Sequence, residues 1–404
     1  MGSCPDVIVA GAGIVGAACA YELAQQGADV LVLDCAGVGS GVSAAGMGHL
    51  VVMDDSPAEF ALSAWSRELW LDLAPRLSAR EAFVRCGTLW VATDDEEYAL
   101  AHTRQQALMS QGVTCSMLDA QQVREAEPAL RKDLRGGMVI PDDAVVYAPA
   151  VAAWLLAQPV KGRMACRLET HVARVDRAGV VLADGETLAA GAVLLANGLQ
   201  AAELLPGLPM QAKKGHLLIT DRYPGTVRHQ VLELGYIKSA HNATGTSVAF
   251  NVQPRPTGQL LIGSSRQFDS LDAAVEPAIL ARMLRRAAEY LPELPSLNAI
   301  RAWTGFRPAT HDGLPLIGPA AQFAEVFAEA LTESFSKQFA GDACHRSTWL
   351  ATGHEGLGVT TALATGKLIA AQMLGTPDGL KIDASPYLPA RFATHAATTG
   401  ASHA

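Results

Sequence analysis

The first hydrophobic pattern in the chain is a short unbroken apolar run, VIVA (7–10), leading into Gly11-Ala12-Gly13-Ile14-Val15-Gly16. A strand apolar on both faces is what a parallel sheet covered on both sides requires. The residues that follow, to Gln26, carry apolar positions at helical spacing, and Gly27 ends them. ADVLVLD then supplies a second strand closing on Asp34. This strand, glycine turn, helix and strand make one βαβ unit.

Farther on, the pattern predicts helices over 58–72 and 96–111, a strand in GTLWVAT (87–93), and a helix in AVAAWLLAQ after GGMVIPDDAVVYAP (136–149). THVARVDRAGVVLADGETLAAGAVLLANG reads as strands with a turn at Asp184-Gly185, its last apolar run being a buried parallel strand. The segment 215–270 is β-rich and partly alternating, as an antiparallel sheet would be. Near the C-terminus a second glycine loop, GHEGLG (353–358), opens another apolar helix, with Thr360 or Thr361 near its start. Between them, Phe323, Val326, Phe327, Leu331, Phe335 and Phe339 recur at helical spacing, which predicts an inserted helix with one apolar face.

The fold class is therefore α/β: a discontinuous Rossmann-like domain with an antiparallel-sheet α+β domain. The expected division assigns 1–50, 150–215 and 300–392 to the first and 51–149 and 216–299 to the second. Residues 320–348 form the insertion and 393–404 (ATHAATTGASHA) a tail. A length of 404 residues suits two domains.

A formal charge of −9 gives no general attraction for nucleic acid or an anionic membrane surface. Seven cysteines without a CxxC pair indicate no metal site and suit a reducing cytoplasm. No run is apolar and long enough to span a membrane, so a cytoplasmic location is expected, with peripheral association at the inner face of a membrane left open.

Chemistry enters with the glycines. Gly11 permits the tight turn, Gly13 lets backbone approach a pyrophosphate, and Gly16 lets the helix pack on the sheet, whose N-terminal dipole then holds the anion. Asp34 would accept ribose hydroxyls and repel the 2′-phosphate of NADP. The unit alone does not choose between NAD and FAD. A second helix-opening glycine loop favours a flavin, because reduction places negative charge on the ring and another helix N-terminus stabilises it. The Gly/Ala/Ser loop CAGVGSGVSAAGMGHL, with Ser43, Ala44, Gly46 and Met47, would let its backbone approach a flat ring.

The order GAGIVG, Asn197-Gly198, GFRP…DGLPLIG and GHEGLG resembles the FAD-dependent D-amino-acid oxidase family over residues 6 to about 392. Within it, the stretch 233–268 looks closest to bacterial cis-4-hydroxy-D-proline dehydrogenases, with the hydrogen cyanide synthase catalytic subunit and opine-oxidase subunits as neighbours. The resemblance implies tightly bound FAD, contacted by Gly11, Ala12, Gly13, Ile14, Val15, Gly16, Asp34 and the Ser43 loop, with Val172 at the adenine. It extends the contacts to Asn197, Gly198, Lys214, Gly353, His354, Glu355, Gly356, Leu357, Gly358, Val359 and Thr360. Residues 41–48 contain no His and 301–319 no Cys, so the FAD is expected to be noncovalent.

The resemblance further implies oxidation of a D-amino or cyclic secondary amino acid to the imino acid, by hydride transfer to flavin N5. Cis-4-hydroxy-D-proline is the leading substrate; glycine, sarcosine and general D-amino acids stay open. Arg307 matches the family's carboxylate anchor, a role that suits a planar, two-pronged donor. Glycine oxidase carries a tyrosine where this chain is read to have Phe250, and an arginine where it has Gly356; Tyr236 and Arg266 are the expected replacements. The electron acceptor (oxygen, quinone or a partner subunit) and a homo- or hetero-oligomeric state are left open.

Overall fold

The computed structural model describes residues 4–176, 179–235, 245–268, 270–321, 348–377 and 379–392. The inserted helix expected over 320–348 and the tail lie almost wholly outside the described residues, as does Tyr236.

The first sheet runs, edge to edge, Leu316–Pro319, Thr348–Thr352, Ala192–Leu195, Val7–Ala10, Val30–Leu33 and Met164–Arg167. Its neighbours are parallel except at the Leu316–Pro319 edge. Val7, Val9, Val30 and Val32 pack on one side, Ile8, Ala10, Leu33 and Leu195 on the other, which accounts for the unbroken apolar runs. The glycine turn sits at the carboxyl ends of the central strands, where ligands bind in open sheets of this kind.

The first helix, Ile14–Gln25, and the C-terminal helix, Gly358–Leu374, lie side by side on this sheet. Gly366 is the point of closest approach: a Cβ there would lie 2.7 Å from the Ala18 carbonyl oxygen. Helix Pro57–Leu73 covers them, with Leu62 and Trp65 joining the core around Leu368 and Ile369. The indole N–H of fully buried Trp70 donates to the carbonyls of Val359 and Thr360, fixing the first turn of the C-terminal helix.

The second sheet has eight strands, in the order Ala299–Thr310, Met210–Arg222, Gln259–Arg266, Ser247–Pro254, Gln230–Glu233, Thr88–Ala92, Gly136–Ile140 and Ser116–Asp119. All pairs are antiparallel except Gln230–Glu233 with Thr88–Ala92. On one face Phe250, Val252, Leu260 and Ile262 pack with Met283, Ala287 and Tyr290 of helix Pro277–Tyr290. On the other face Leu217 and Leu261 pack with Met47, and the Trp303 indole donates to the Ala45 carbonyl at 3.1 Å. The second sheet thus covers the Gly/Ala/Ser loop. No helix among the described residues is long and apolar enough to cross a membrane.

Because interiors are close-packed, Gly366→Val must separate the two helices. The expected outcome is a loss of about 1–3 kcal/mol in urea unfolding, the usual scale for overpacking, with an unchanged denaturant slope.

Candidate active site

A single cavity of about 1700 Å³ runs from the first glycine turn and Asp34, under the second sheet, to Arg307 and Gly356. That exceeds the roughly 300–1,000 Å³ of an ordinary small-molecule pocket and leaves room for a dinucleotide with a small substrate.

At its first end Gly11 has φ +110°, and a Cβ there would lie 2.6 Å from the Ala196 carbonyl oxygen. A Cβ on Gly16 would lie 2.0 Å from the Gly11 carbonyl oxygen, so the helix can start against its own turn only with glycine at this position. Asp34 braces the turn: its two carboxylate oxygens accept the N–H groups of Ala12 (2.7 Å) and Ala36 (2.9 Å) while still lining the cavity. Beside it, Gly11, Asp34, Val172 and Asn197 line a small recess, where the Asn197 Oδ1 is buried without a hydrogen-bond partner. The Ser43 hydroxyl accepts the N–H of Ile14 at 2.9 Å, tying the Gly/Ala/Ser loop to the helix start.

At the other end the loop GHEGLG opens the C-terminal helix. Neither this helix nor the first has a side-chain N-cap bond or an acid in its first turn, so both present bare positive ends. Two such ends in one long cavity, with the orphaned Asn197 amide oxygen at its first end, fit a flavin dinucleotide. Gly13, Ile14, Val15, Ser43, Ala44, Gly46, Met47, Gly198, His354, Glu355, Gly356, Leu357, Gly358 and Val359 all line it.

His354 is buried, and its Nε2 is 3.1 Å from the Thr365 hydroxyl; burial pushes its pKa down to about 3. His49 is held down to about 4, first by burial and then by the nearby Arg307. Both rings are neutral at physiological pH.

The cationic centre is built on the edge strands. Register places Lys213 opposite Arg307, so both project to the cavity side. Arg307 lies over Gly215 and beside Gly356, and its Nη2 donates to the Ser265 carbonyl at 3.3 Å. Arg266 and Lys213 each approach Glu355 Oε1 to 3.9 Å. Burial would raise the Glu355 carboxyl, but Arg307, Arg266 and Lys213 hold it below its ordinary value. Arg307, Arg266 and Lys213 thus gather at one end of the cavity, where an incoming anion would meet them.

The structure revises several expected contacts. Lys214 is fully buried on the opposite face of its strand, where Nζ meets Glu276 at 2.8 Å; Lys213 takes the cavity side. Phe250 borders the cavity, but its ring is stacked on Tyr290, 4.5 Å between centroids, in the core of the second sheet; Asn251 lines the cavity beside it. Thr360 does not line the cavity: its hydroxyl donates to the His49 carbonyl and accepts the Val51 N–H. Ala12, Gly16 and Gly353 shape the loops without lining the cavity. Lys213 and Asn251 were readable in principle, since Val248, Phe250 and Val252 alternate as core positions.

Comparison with known proteins places this architecture. The family model described as FAD dependent oxidoreductase matches residues 6–372. Glycine oxidase from Geobacillus kaustophilus (strain HTA426) is 30% identical over 381 residues, covering 90% of this chain and 92% of that protein. The hydrogen cyanide synthase subunit HcnC of Pseudomonas aeruginosa is 26% identical, covering 96% of each chain. The crystal structure of glycine oxidase from Geobacillus kaustophilus superposes with a TM-score of 0.79 at 26% identity, covering 96% of this chain and 98% of that one.

His354 gives a pH-dependent stability. Its folded pKa is depressed, so the stabilisation is complete above the unfolded value of about 6.5 and is lost as pH falls toward about 3. Asp143, pushed up to about 6 by burial, works in the opposite sense at overlapping pH, so the informative quantity is the difference from a variant. Urea unfolding of the parent should lose stability relative to His354→Gln by up to about 1.4 kcal/mol per pH unit between pH 6 and 4.

Proposed function

The chain belongs to the FAD dependent oxidoreductase family, and from that premise we propose that it oxidises a D-amino acid or cyclic secondary amino acid to the imino acid. Cis-4-hydroxy-D-proline is the substrate we favour. The protein is an FAD-dependent oxidoreductase similar to glycine oxidase. When bound, FAD supplies the two-electron acceptor for the hydride leaving Cα.

The observation that carries the substrate class is the cluster of three cations at the Glu355 end of the cavity. Arg307, backed by Lys213 and Arg266, offers a substrate carboxylate a charge-assisted anchor at the end of the cavity beside the GHEGLG loop. Anchoring that group fixes the attached Cα, which is what a transfer reaction needs of the protein. Glycine stands at 356, against the Arg307 side chain, so the space beside the anchor is left to the substrate. A ring such as proline's can use it. The cis-4-hydroxy-D-proline reading rests on the likeness of 233–268 to dehydrogenases of that compound, and Asn251 and Arg266 of that stretch line the cavity.

Glu59, His49 and Trp303 also line the cavity, and the lining residues that surround FAD in this reading hold it without a covalent bond. The similarity to HcnC, named as a subunit, supports a second arrangement in which the chain passes electrons to a partner.

Anaerobic reduction followed in the flavin spectrum tests the reading with cis-4-hydroxy-D-proline, D-proline, D-alanine, glycine, sarcosine and L-amino acids. Cis-4-hydroxy-D-proline should bleach the flavin fastest. Failure of every D-amino and secondary amino acid to bleach it would sink the proposal. Arg307→Ala should keep FAD and raise KM by about 10- to 100-fold, the scale of one or two lost charge-assisted hydrogen bonds.

A further inference from the structure

An amino acid arrives with its nitrogen as an ammonium, and the nitrogen lone pair is needed to form the C=N bond when the hydride leaves. Something must take that proton. Resting on the amine-oxidation reading above, we propose that Glu59 is the base: it meets the substrate nitrogen while Arg307 holds the carboxylate.

The other carboxylates and imidazoles of the lining are committed elsewhere. Asp34 braces the first turn, Glu355 faces three cations, and Asp312 is bound by Arg391 at 2.6 Å. His354 is locked on Thr365, and His49 is held neutral beside Arg307. Asp55 and His311 stand exposed. Glu59 is half-buried, lines the same cavity as Arg307, and its carboxyl makes no hydrogen bond among the described residues.

Its position is unusual for its sequence. Ser56-Pro57-Ala58-Glu59 is a capping-box pattern, in which the glutamate would turn back to the Ser56 N–H. Here only half the box forms: the Ser56 hydroxyl accepts the Glu59 N–H at 3.1 Å, while the carboxyl is left to the cavity. The groups that act on it are Asp55 and Asp54 of the preceding loop, Glu355 of the glycine loop and Arg104 of helix Asp95–Ser110. Asp54 is itself paired with Arg104 at 2.6 Å. Burial, then these neighbouring carboxylates, push the Glu59 carboxyl up to about 8, in the range of a working base.

In the step, an N–H bond of the ammonium breaks and an O–H bond forms on Glu59. The freed lone pair would then be available for the C=N bond, with bound FAD supplying the two-electron acceptor for the hydride. Only ionised Glu59 accepts the proton, so kcat/KM rises with pH through about 8.

The test compares the holoenzyme with Glu59→Gln, using the amino acid that reduces the flavin fastest. Glu59→Gln should lower kcat/KM by about 100-fold, the low end for a positioned base. It should also remove the limb near pH 8 while leaving the limb of the substrate's own amine. Binding of pyrrole-2-carboxylate, which has the carboxylate but no basic amine, should be unchanged. A persisting limb near 8, or parallel loss of pyrrole-2-carboxylate binding, overturns the proposal. A second readout does not depend on turnover. Above pH 8, where Glu59 is ionised, the infrared band of a protonated carboxyl, assigned by its absence in Glu59→Gln, should appear when D-proline binds and stay absent with pyrrole-2-carboxylate. A band that fails to appear with D-proline overturns the role. If no amine reduces the flavin, the functional reading fails by itself and this band still judges Glu59.

Discussion

Two carbonyl oxygens seated where side chains would otherwise stand hold the site together. The Gly11 oxygen occupies the space of a Gly16 side chain, and the Ala18 oxygen that of a Gly366 side chain. The first contact starts a helix against its own turn; the second brings the C-terminal helix against that helix. With both made, two helix N-termini from opposite ends of the chain open into one cavity. Trp70 then pins the C-terminal helix through the Val359 and Thr360 carbonyls, and Thr360 pins the loop at His49 and Val51.

Electrostatics in the cavity follow from desolvation. The histidines lose their charge because burial outweighs any nearby carboxylate. Glu355 keeps its charge against burial because three cations face it. Glu59 has other carboxylates near it and only Arg104 in opposition, so burial prevails there. The same penalty therefore produces neutral imidazoles, an ionised glutamate and a protonatable one in a single space, and their partners decide which.

Much of this was legible in the chain. Apolar runs of period one and the glycine turn gave the first sheet and its ligand end, and GHEGLG before an apolar helix gave the second anion-holding loop. Side-chain direction within the second sheet was harder to read. Lys213 and Lys214 differ by one position, yet one faces the cavity with Arg307 and the other is sealed against Glu276. A one-residue shift of register exchanges the faces of a strand, and a motif quoted as a block does not carry that parity.

By itself the sequence determined the elements, the two glycine loops and the family to which the chain belongs, because turn chemistry and hydrophobic period are local properties. Tertiary structure decided which side of each strand meets the cavity, which carboxylates are already occupied, and that Glu59 leaves its cap to face Arg307's cavity. Those outcomes depend on pairing between strands and on burial by segments distant in the chain. Neither is a property of any one stretch of residues.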